Sequence, residues 1–391
     1  MSDIRILQRT FSKALAPKKA FVKRRAAGFI THDYLVPGGP YQEQWDWDGF
    51  FIGMALASEI PSEAIYLKNW CLNYLEHVHR DGFTPGLLTP RGTDKRLKHI
   101  KPFLAQGCYF ASIFLADFSW IHPFWQKLIA SLAYREHHYF DSKRNLAAWY
   151  DSMESGADNN IAVLSYPTGS VLATDLNSFL YREYLAMKYI ATRLKKPRAS
   201  IHFEKKARAM RSAILTHLWN KNDAIFYNKD RKTGNFIRHL SYSSLIPLWA
   251  GIAPRRSGRE MIKRHILNPN EYRAPYGIRT LAQDDSAYNQ KNIIKPHSNW
   301  QGPAWPLVNY LSMHALLNYG FKKEALHLAI TTVKMCLRDI EQTGGMHENY
   351  DAETGKSLAA PNFISWNLLA GNMIHETTTR MNPFRLEISS G

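Results

Sequence analysis

Apolar residues recur every three to four positions along most of this chain, and the segments with this period follow one another in pairs. The period is typical of amphipathic α-helices, whereas the strict alternation expected of β-strands is scarce. In the first pair, Pro61 ends one helix and Ser62 is placed to cap the next. The pattern predicts about eleven helices, at 49–59 with 62–78, 105–118 with 120–140, 176–194 with 200–219, 241–251 with 257–267 and 303–319 with 322–341, with a last helix near 364–378.

The arrangement of these helical hairpins predicts an all-α toroid. No linker rich in Gly, Ser or Pro separates them, so residues 31–391 are predicted to form a single domain. The sequence lacks the fixed short repeat that an open solenoid would show, which favours a closed ring. Residues 80–101 form a long insertion rich in Gly, Pro and basic residues, which either covers the mouth of the ring or is a mobile surface loop.

Charge restricts the classes of partner. The 391 residues include 50 Lys and Arg against 33 Asp and Glu, giving a formal net charge of +17. The cations are scattered over several segments and form no nucleic-acid-binding motif, so no nucleic acid partner is predicted. Attraction of a small substrate that bears a carboxylate stays open. Residues 1–30 are predicted to form a basic arm or helix, with an organelle-targeting peptide as the less favoured alternative.

Apolar runs and cysteines bear on the cellular location of the protein, and histidines bear on whether it binds a metal. No apolar stretch near the start suits a signal peptide, and none elsewhere approaches the roughly 20 residues of a membrane span. Cys71, Cys108 and Cys336 are far apart and form no CxxC pair, which fits a reducing compartment. We therefore predict a cytoplasmic protein without a membrane partner. The 16 histidines show no metal-ligand spacing, so neither a metal nor another cofactor is predicted.

Three segments rich in aromatic and acidic residues supply the chemistry: PGGPYQEQWDWDGF at 37–50, ESGADNN at 154–160 and HENYDAETG at 347–355. Aromatic rings offer flat apolar platforms for the C–H face of a pyranose, and glycoside hydrolysis needs a pair of Asp or Glu residues. These segments indicate a sugar-cleaving site. Judged by spacing, however, Asp158 is favoured as a helix-capping or turn residue, and Glu348 as an ordinary Glu before a turn.

The same segments resemble those of a known enzyme family. PGGPYQEQWDWDGFF at 37–51 is similar to the first trehalase signature, ESGADN at 154–159 to an ESGxDxS segment, and NWQGPAWPLVNY at 299–310 to WRGPxWPxxNY. HENYDAETG resembles the segment with the general base, and IKPFLAQ at 100–106 is a weaker match. In this order they resemble glycoside hydrolase family 63, particularly its compact bacterial mannosylglycerate and glucosylglycerate hydrolase-like members, which are related to the family 37 trehalases. The resemblance implies an (α/α)6 barrel, in agreement with the helical hairpins.

The resemblance also implies an inverting mechanism with two carboxyl groups. It makes Asp158 the general acid and Glu348 the general base, which the fold must bring to the separation of roughly 6.5–9.5 Å that leaves room for a water. Asp158 must hold its proton near neutral pH, for which Trp149 or Glu154 are the suggested neighbours. The implied substrate-binding residues are Tyr41, Gln44, Trp45, Trp47, Asp48, Trp300, Gln301, Trp305 and Trp366.

Some positions depart from the family pattern or keep a second role. Asn160-Ile161 stands where relatives commonly have Ser-Pro, Ala157 where a larger residue is usual, and Gln301 where an Arg is common. Asp48 is implied to accept hydrogen bonds from sugar hydroxyls, but it is also placed to cap the helix that opens near it.

The expected function is that of an inverting α-glycosidase acting on a small glycoside such as glucosylglycerate or mannosylglycerate. Within the same class, the alternative is a trehalase or an α-gluco-oligosaccharide hydrolase. From other classes, a sugar epimerase and a non-catalytic carbohydrate-binding protein remain open, although epimerases of this fold depend on paired histidines and this chain offers carboxylates. The predicted partner is a small carbohydrate, with an anionic aglycone as one possibility.

Overall fold

A computed structural model describes residues 2–93, 98–295 and 298–387. Helices dominate the described residues. The α-helices are α1 (Ser2–Leu15), α2 (Asp46–Glu59), α3 (Ala64–Glu76), α4 (Leu104–Phe114), α5 (Trp125–His137), α6 (Ser152–Ser155), α7 (Ile161–Leu164), α8 (Thr174–Arg193), α9 (Pro197–His217), α10 (Ile246–Trp249), α11 (Arg255–Met261), α12 (Pro306–Asn318), α13 (Lys322–Thr343) and α14 (Ala370–Thr379). Short 3-10 helices cover Ala16–Val22, Pro61–Glu63, Ser119–Phe124, Tyr242–Leu245 and Ser365–Leu369, and a π-helix covers Ile262–Ile266.

Six of these helices form a closed inner ring. Each contacts the next in the order α2, α4, α8, α10, α12 and α14, and α14 returns to α2. In α2, 12 of 14 residues are buried, and in α12, 11 of 13. A helix that is apolar on all sides is stable where neighbours cover every side, which the inner ring provides. Phe384, from the C-terminal segment, packs against Phe50, Trp249 and Tyr310 of three inner helices.

Further long helices pack on the outside of this ring. α3 lies against α2 and α4, α9 against α8, and α13 against α12 and α14. The outer helices are amphipathic because one face meets the ring and the other meets water; α9 buries 5 of its 21 residues. The N-terminal helix α1 contacts α13 and α14 and buries Phe11 and Leu15. The predicted all-α toroid, an (α/α)6 barrel, is confirmed.

Two local predictions need correction. Ser62 does not cap α3, because it lies inside the 3-10 turn Pro61–Glu63 and Glu63 is the residue that precedes the helix. The helix predicted at 241–251 is a 3-10 turn followed by the single α-helical turn of α10. Its apolar residues are buried because of their central position in the inner ring.

Strands are short and lie between the helices. They are β1 (Lys23–Arg24), β2 (Tyr34–Leu35), β3 (Gln44–Trp45), β4 (Leu87–Thr89), β5 (Gly92–Thr93), β6 (Phe140–Asp141), β7 (Leu146–Trp149), β8 (Val171–Leu172), β9 (Trp219–Asn220), β10 (Ile225–Phe226), β11 (Asn228–Asp230), β12 (Phe236–Ile237), β13 (Arg273–Ala274), β14 (Gly277–Ile278), β15 (Asn349–Tyr350) and β16 (Ser357–Leu358). One antiparallel sheet has the order β12-β11-β8-β7-β6. Strands of two to four residues are too short to show an alternating pattern in sequence.

The insertion predicted at 80–101 contributes to one end of the barrel. Strand β4 pairs with β3, which directly precedes α2, and with β5. Pro85 and His99 form an isolated bridge that closes the insertion at its base. Residues 94–97 lie outside the described residues. None of the helices in the described part of the chain is both long enough and apolar enough to cross a lipid bilayer.

Candidate functional site

A cavity of about 710 Å³ opens among the loops that precede the inner helices. Trp47 and Asp48 lie in the first turn of α2, Lys101 shortly precedes α4, and Trp305 is the N-cap of α12. The predicted site residues that line the cavity are Tyr41, Trp45, Trp47, Asp48, Asp158, Trp305, Glu348 and Trp366. A second cavity of about 240 Å³ lies between the π-helix and α13 and is lined by none of the predicted residues.

The first turn of α2 holds two carboxylates at the positive end of the helix dipole, which stabilises them. Asp46 accepts hydrogen bonds from the backbone N and the Nζ of Lys101, at 2.8 and 2.9 Å. Asp48 accepts one from the Oγ of Ser365 at 2.7 Å. Burial raises the pKa of Asp48 to about 7, an effect that the Ser365 hydroxyl and the Lys101 charge limit. Trp45 occupies the N-cap, so the alternative role of Asp48 as the helix cap does not apply.

Asp158 lies in a loop shaped by a short helix and a glycine. Asp151 caps α6 by accepting a hydrogen bond from the backbone N of Glu154 at 2.8 Å. Gly156 ends this helix with φ +78°, a conformation that favours glycine. The Oδ2 of Asp158 then accepts hydrogen bonds from the backbone N and the Oγ of Ser298, at 3.1 and 2.8 Å.

The two neighbours suggested for Asp158 have other partners. The Nε1 of Trp149 donates to Asp175 at 3.0 Å. Glu154 forms an ion pair with Arg135 at 2.9 Å, with both side chains almost fully buried. The Glu154 charge is therefore compensated by Arg135. The carboxylate that repels Asp158 across the cavity is Glu348.

Glu348 directly precedes the hairpin of β15 and β16, and its side chain is 5% exposed. Its backbone N–H donates to the carbonyl of Ala360 at 3.1 Å, and the Tyr41 hydroxyl lies 3.5 Å from its Oε2. Burial, together with the negative charges of Asp158 and Asp48, raises the pKa of Glu348 to about 8. Because neighbouring carboxylates resist ionising together, the cavity retains a proton near neutral pH. The raised pKa places this proton on Glu348 in the free protein, and Asp48, with a pKa of about 7, is a third carboxyl group whose charge acts on it.

Indole rings form one wall of the cavity. Trp305 in this wall stacks on Trp300 behind it with ring centroids 3.9 Å apart, and Trp47 contacts Trp300 at 5.8 Å and Trp366 edge-on at 5.2 Å. The Nε1 atoms of Trp45 and Trp366 are buried and have no hydrogen-bond partner within the described residues. Buried donors are rarely left unsatisfied, so these two groups are available to a polar ligand.

Three predicted substrate ligands do not line the cavity: Gln44, Trp300 and Gln301. Gln44 is fully buried and accepts a hydrogen bond from Asn73 at 3.0 Å. Trp300 and Gln301 bond instead to Asn159, through the Trp300 backbone N at 2.6 Å and the Gln301 Nε2 at 2.8 Å. They stand behind the wall, where they fix the loop that carries Asp158.

The cavity is also lined by residues to which the sequence motifs assigned no role. Lys101 is 6% exposed and its Nζ lies 5.3 Å from the Trp47 ring centroid. Ile294 and Lys295 are exposed at the cavity. The weak family match at 100–106 was a signal for Lys101, and Ser298 directly precedes the NWQGPAW segment. For Ile294 and Lys295 the sequence contains no such signal.

Residues 2–93, 98–295 and 298–387 contain no candidate metal site. No group of three or more His, Cys, Asp or Glu side chains in these ranges is arranged to hold a metal ion.

The comparison that decides the family covers most of the chain. Residues 41–366 match the family model of the mannosylglycerate hydrolase MGH1-like glycoside hydrolase domain. The chain belongs to this family. The matched range of the MGH1-like domain begins at Tyr41 and ends at Trp366, so it contains every predicted site residue.

Individual relatives are more distant. The chain is 30% identical over 149 residues to a probable mannosyl-oligosaccharide glucosidase of Schizosaccharomyces pombe, a match that covers 35% of this chain and 18% of that protein. It is 26% identical over 164 residues to the mannosylglycerate hydrolase of Rubrobacter radiotolerans, covering 42% of this chain and 35% of that protein. The matches therefore span about a third or less of these two curated relatives.

A solved structure extends the comparison to the whole fold. The GH63 mannosylglycerate hydrolase from Thermus thermophilus in complex with glucose matches with a TM-score of 0.71. The match covers 96% of this chain and 100% of that chain at 18% identity. At this identity the likeness shows that the two chains share their fold.

Proposed function

We propose that this MGH1-like chain is an inverting α-glycosidase that hydrolyses a small α-glycoside. The observation that carries the proposal is the cavity in which Asp158 and Glu348, far apart in sequence, meet beside a wall of indole rings. Inverting glycosidases need one protonated and one ionised carboxyl group around a space for substrate and water. The family assignment supports the same chemistry.

In the proposed reaction, substrate binding leaves Glu348 ionised and the proton on Asp158, which donates it to the glycosidic oxygen while the bond from that oxygen to the anomeric carbon breaks. Glu348 takes a proton from a water whose oxygen bonds to the anomeric carbon from the opposite face. The products are the β-anomer of the sugar and the free aglycone. Asp158 ends ionised and Glu348 protonated, so one proton must return to Asp158 before the next turnover.

The other cavity residues are assigned to substrate binding. Asp48 and the indole N–H groups of Trp45 and Trp366 are proposed to bond the sugar hydroxyls, with Trp47 as an apolar platform. Lys295 is an exposed cation at the cavity, which supports an aglycone that carries a carboxylate, such as glycerate, whereas the charge of Lys101 is compensated by Asp46. The names of the Rubrobacter and Thermus relatives agree with such a substrate.

Proton NMR of the purified protein with separate α-glycosides tests this proposal. The panel contains glucosylglycerate, mannosylglycerate, trehalose and short gluco-oligosaccharides. We expect the β-anomer of the sugar to appear first from a glycerate glycoside. First release of the α-anomer would contradict inversion, and release from trehalose alone would assign a different substrate. Binding without cleavage of any compound would favour the carbohydrate-binding alternative.

Two variants test the assigned roles. Asp158→Asn and Glu348→Gln are each expected to lose several orders of magnitude in turnover while staying folded. An α-glycosyl fluoride separates the two, because fluoride leaves without a proton from the acid. Asp158→Asn should recover much of its turnover on the fluoride, whereas Glu348→Gln should not. Near-normal turnover of either variant on the glycoside would remove that residue from the mechanism.

We also propose that the protein works in the cytoplasm. Its three cysteines, Cys71, Cys108 and Cys336, are buried and unpaired, which supports a reducing compartment. Fractionation of the native cells with an antibody against the protein tests this location.

A further inference from the structure

A buried carboxylate lies behind the segment that carries Glu348. Asp339, near the C-terminal end of α13, is 2% exposed. Its Oδ2 accepts hydrogen bonds from the backbone N of His347 and the hydroxyl of Tyr350, both at 2.8 Å. Its Oδ1 accepts one from the Oγ of Ser357 at 2.8 Å, and the Nδ1 of His347 lies 3.1 and 3.0 Å from Oδ1 and Oδ2. All of these donors belong to the Glu348 segment or its hairpin.

Without hydrogen-bond partners, the ionised form of Asp339 would be unfavourable at this position. The C-terminal end of a helix carries partial negative charge, which disfavours an anion there. Burial also opposes ionisation, but hydrogen bonds from His347, Ser357 and Tyr350 outweigh it and lower the pKa of Asp339. The carboxylate is therefore ionised and held by its contacts with the hairpin. Removal of these contacts would leave a buried charge without compensation.

We infer that Asp339 is a positioning residue for the general base. Its partners stand on both sides of Glu348, because His347 immediately precedes that residue and Tyr350 follows two positions later. Ser357 ties the opposite strand of the hairpin to the same carboxylate. With both flanks bonded to α13, the backbone at Glu348 is held in place, and its side chain stays in the cavity. This inference rests on the proposed function.

Hydrogen bonds that do not involve Asp339 also hold the Glu348 hairpin in place. The Nδ2 of Asn367 donates to the His347 carbonyl at 2.8 Å, and Tyr350 exchanges backbone hydrogen bonds with Ala304 at 2.8 and 2.9 Å. These bonds keep the hairpin attached when the Asp339 carboxylate is changed. Asp158 is held by Ser298, which takes no part in the Asp339 hydrogen bonds. Loss of Asp339 should therefore impair the base and spare the acid.

The decisive experiment is Asp339→Asn, assayed on the glycoside that the wild type cleaves and on the α-glycosyl fluoride. The new amide NH2 cannot accept, so in one orientation the His347 backbone N–H and the Tyr350 hydroxyl both lose their acceptor, and in the other the Ser357 hydroxyl loses its acceptor. We expect kcat to fall tenfold to a hundredfold, about the loss seen when other supporting residues are removed, with KM within about twofold. The fluoride should show the same fall in kcat, because it bypasses Asp158 and not Glu348.

Matched variants separate positioning from a general loss of stability. Asp351→Asn changes a carboxylate at the turn of the same hairpin, where it accepts from the backbone N of Glu353 and Thr354 at 2.9 Å, and kcat should stay near wild type. Tyr350→Phe removes one hydrogen bond to Asp339 and should lower kcat in the same direction by a smaller factor. If Asp339→Asn does not fold, Tyr350→Phe decides the question.

A readout that does not depend on catalysis completes the test. Hydrogen exchange of the Asp339→Asn protein should speed up in 347–358 and stay unchanged in 152–160, which contains Asp158. If the wild type cleaves no glycoside, the proposed function fails, and the exchange result still decides whether Asp339 orders the segment. The inference is overturned if exchange in 347–358 is unchanged, if the fluoride restores kcat, or if Asp339→Asn and Tyr350→Phe both turn over at the wild-type rate.

Discussion

Glu348 is buried beside two other carboxylates, and this environment makes the stability of the fold depend on pH. Its pKa in the folded protein is about 8 against an ordinary 4.5, so between these values the folded state holds a proton that the unfolded state releases. The contribution of Glu348 to the free energy of unfolding therefore falls as pH rises through this window. Glu348→Gln does not titrate, so we expect it to exceed the wild type in stability at pH 8, by on the order of a few kcal/mol, and to match it at pH 4. Denaturant unfolding at both pH values measures the difference.

Glu353 provides a control of opposite sign on the same hairpin. Burial raises its pKa, but hydrogen bonds from Arg279 and Tyr288 outweigh this and hold the pKa below its ordinary value. Ionised Glu353 therefore stabilises the fold above pH 4.5 and loses this effect as the carboxyl is protonated. Glu353→Gln should lower stability at pH 8 and approach the wild type in acid. If Glu348→Gln were also less stable at pH 8, Glu348 would be ionised in the folded protein.

Sequence motifs located the two proposed catalytic carboxyl groups but not the residues that hold them. Asp158 and Glu348 stand inside short segments with recognisable neighbours, so a local pattern was enough. Ser298 and Asp339 act through contacts made across the fold; Ser298 lies 140 positions from Asp158 in sequence. Such pairs leave no local signal, since any Ser or Asp in a helix or loop looks alike until the chain is folded. For the same reason the motif assigned Gln301 to the sugar, although its side-chain amide donates to a backbone carbonyl behind the cavity wall.

At the scale of elements, the short turn after α6 joins the Asp158 loop to the aromatic wall. A Cβ at Gly156 would lie 2.7 Å from Cζ2 of Trp47 and 2.9 Å from Cε of Lys101, both of which line the cavity. Gly156→Ala must therefore displace the Trp47 ring as well as strain the left-handed backbone. We expect turnover to fall about tenfold or more, since small misplacements at a reacting centre are costly. Steady-state kinetics and thermal unfolding of the variant measure the two effects.

Gly251 provides the matched control for this substitution. It has φ +69°, and apart from Gly251 itself and its two chain neighbours no atom of the described residues lies within 4 Å of a Cβ built there. Gly251→Ala therefore carries the backbone strain, on the order of 1–2 kcal/mol, without a contact at the cavity. Both variants should lose stability, and turnover should fall in Gly156→Ala while staying near wild type in Gly251→Ala. Equal turnover in the two would show that the Trp47 contact does not matter.

Helices could be predicted from the sequence where the apolar period extended over many residues. The long outer helices α9 and α13 were predicted at 200–219 and 322–341, close to their observed bounds. The inner helix α10 was predicted at 241–251 but contains one α-helical turn, because burial on all sides leaves no period to mark where a helix begins. The two-residue strands had no signal at all, since alternation needs more positions than they contain.

At the scale of the whole molecule, the first helix of the chain packs beside the last. α1 contacts α13 and α14, whereas the sequence predicted a basic arm or helix at 1–30 without a position against the barrel. The basic residues of this segment gave the prediction of a basic arm or helix. The few apolar residues that pack α1 against the barrel were too sparse to predict where the helix lies. Ring closure depends on which helices are neighbours in space, and this information is absent from any local window of sequence.

The packing of α1 yields a prediction for the whole barrel. Phe11 is 1% exposed, whereas Ile6 on the same helix is 61% exposed. Phe11→Ala should lower the free energy of unfolding by about 3–5 kcal/mol, the usual result of emptying a buried aromatic site, and Ile6→Ala should change it by less than about 0.5 kcal/mol. No residue of Ser2–Leu15 lines the cavity, so kcat and KM of both folded variants at low temperature should match the wild type. Denaturant unfolding and kinetics in the cold check both parts, and an unchanged stability of Phe11→Ala would mean that α1 is an appendage and not part of the barrel.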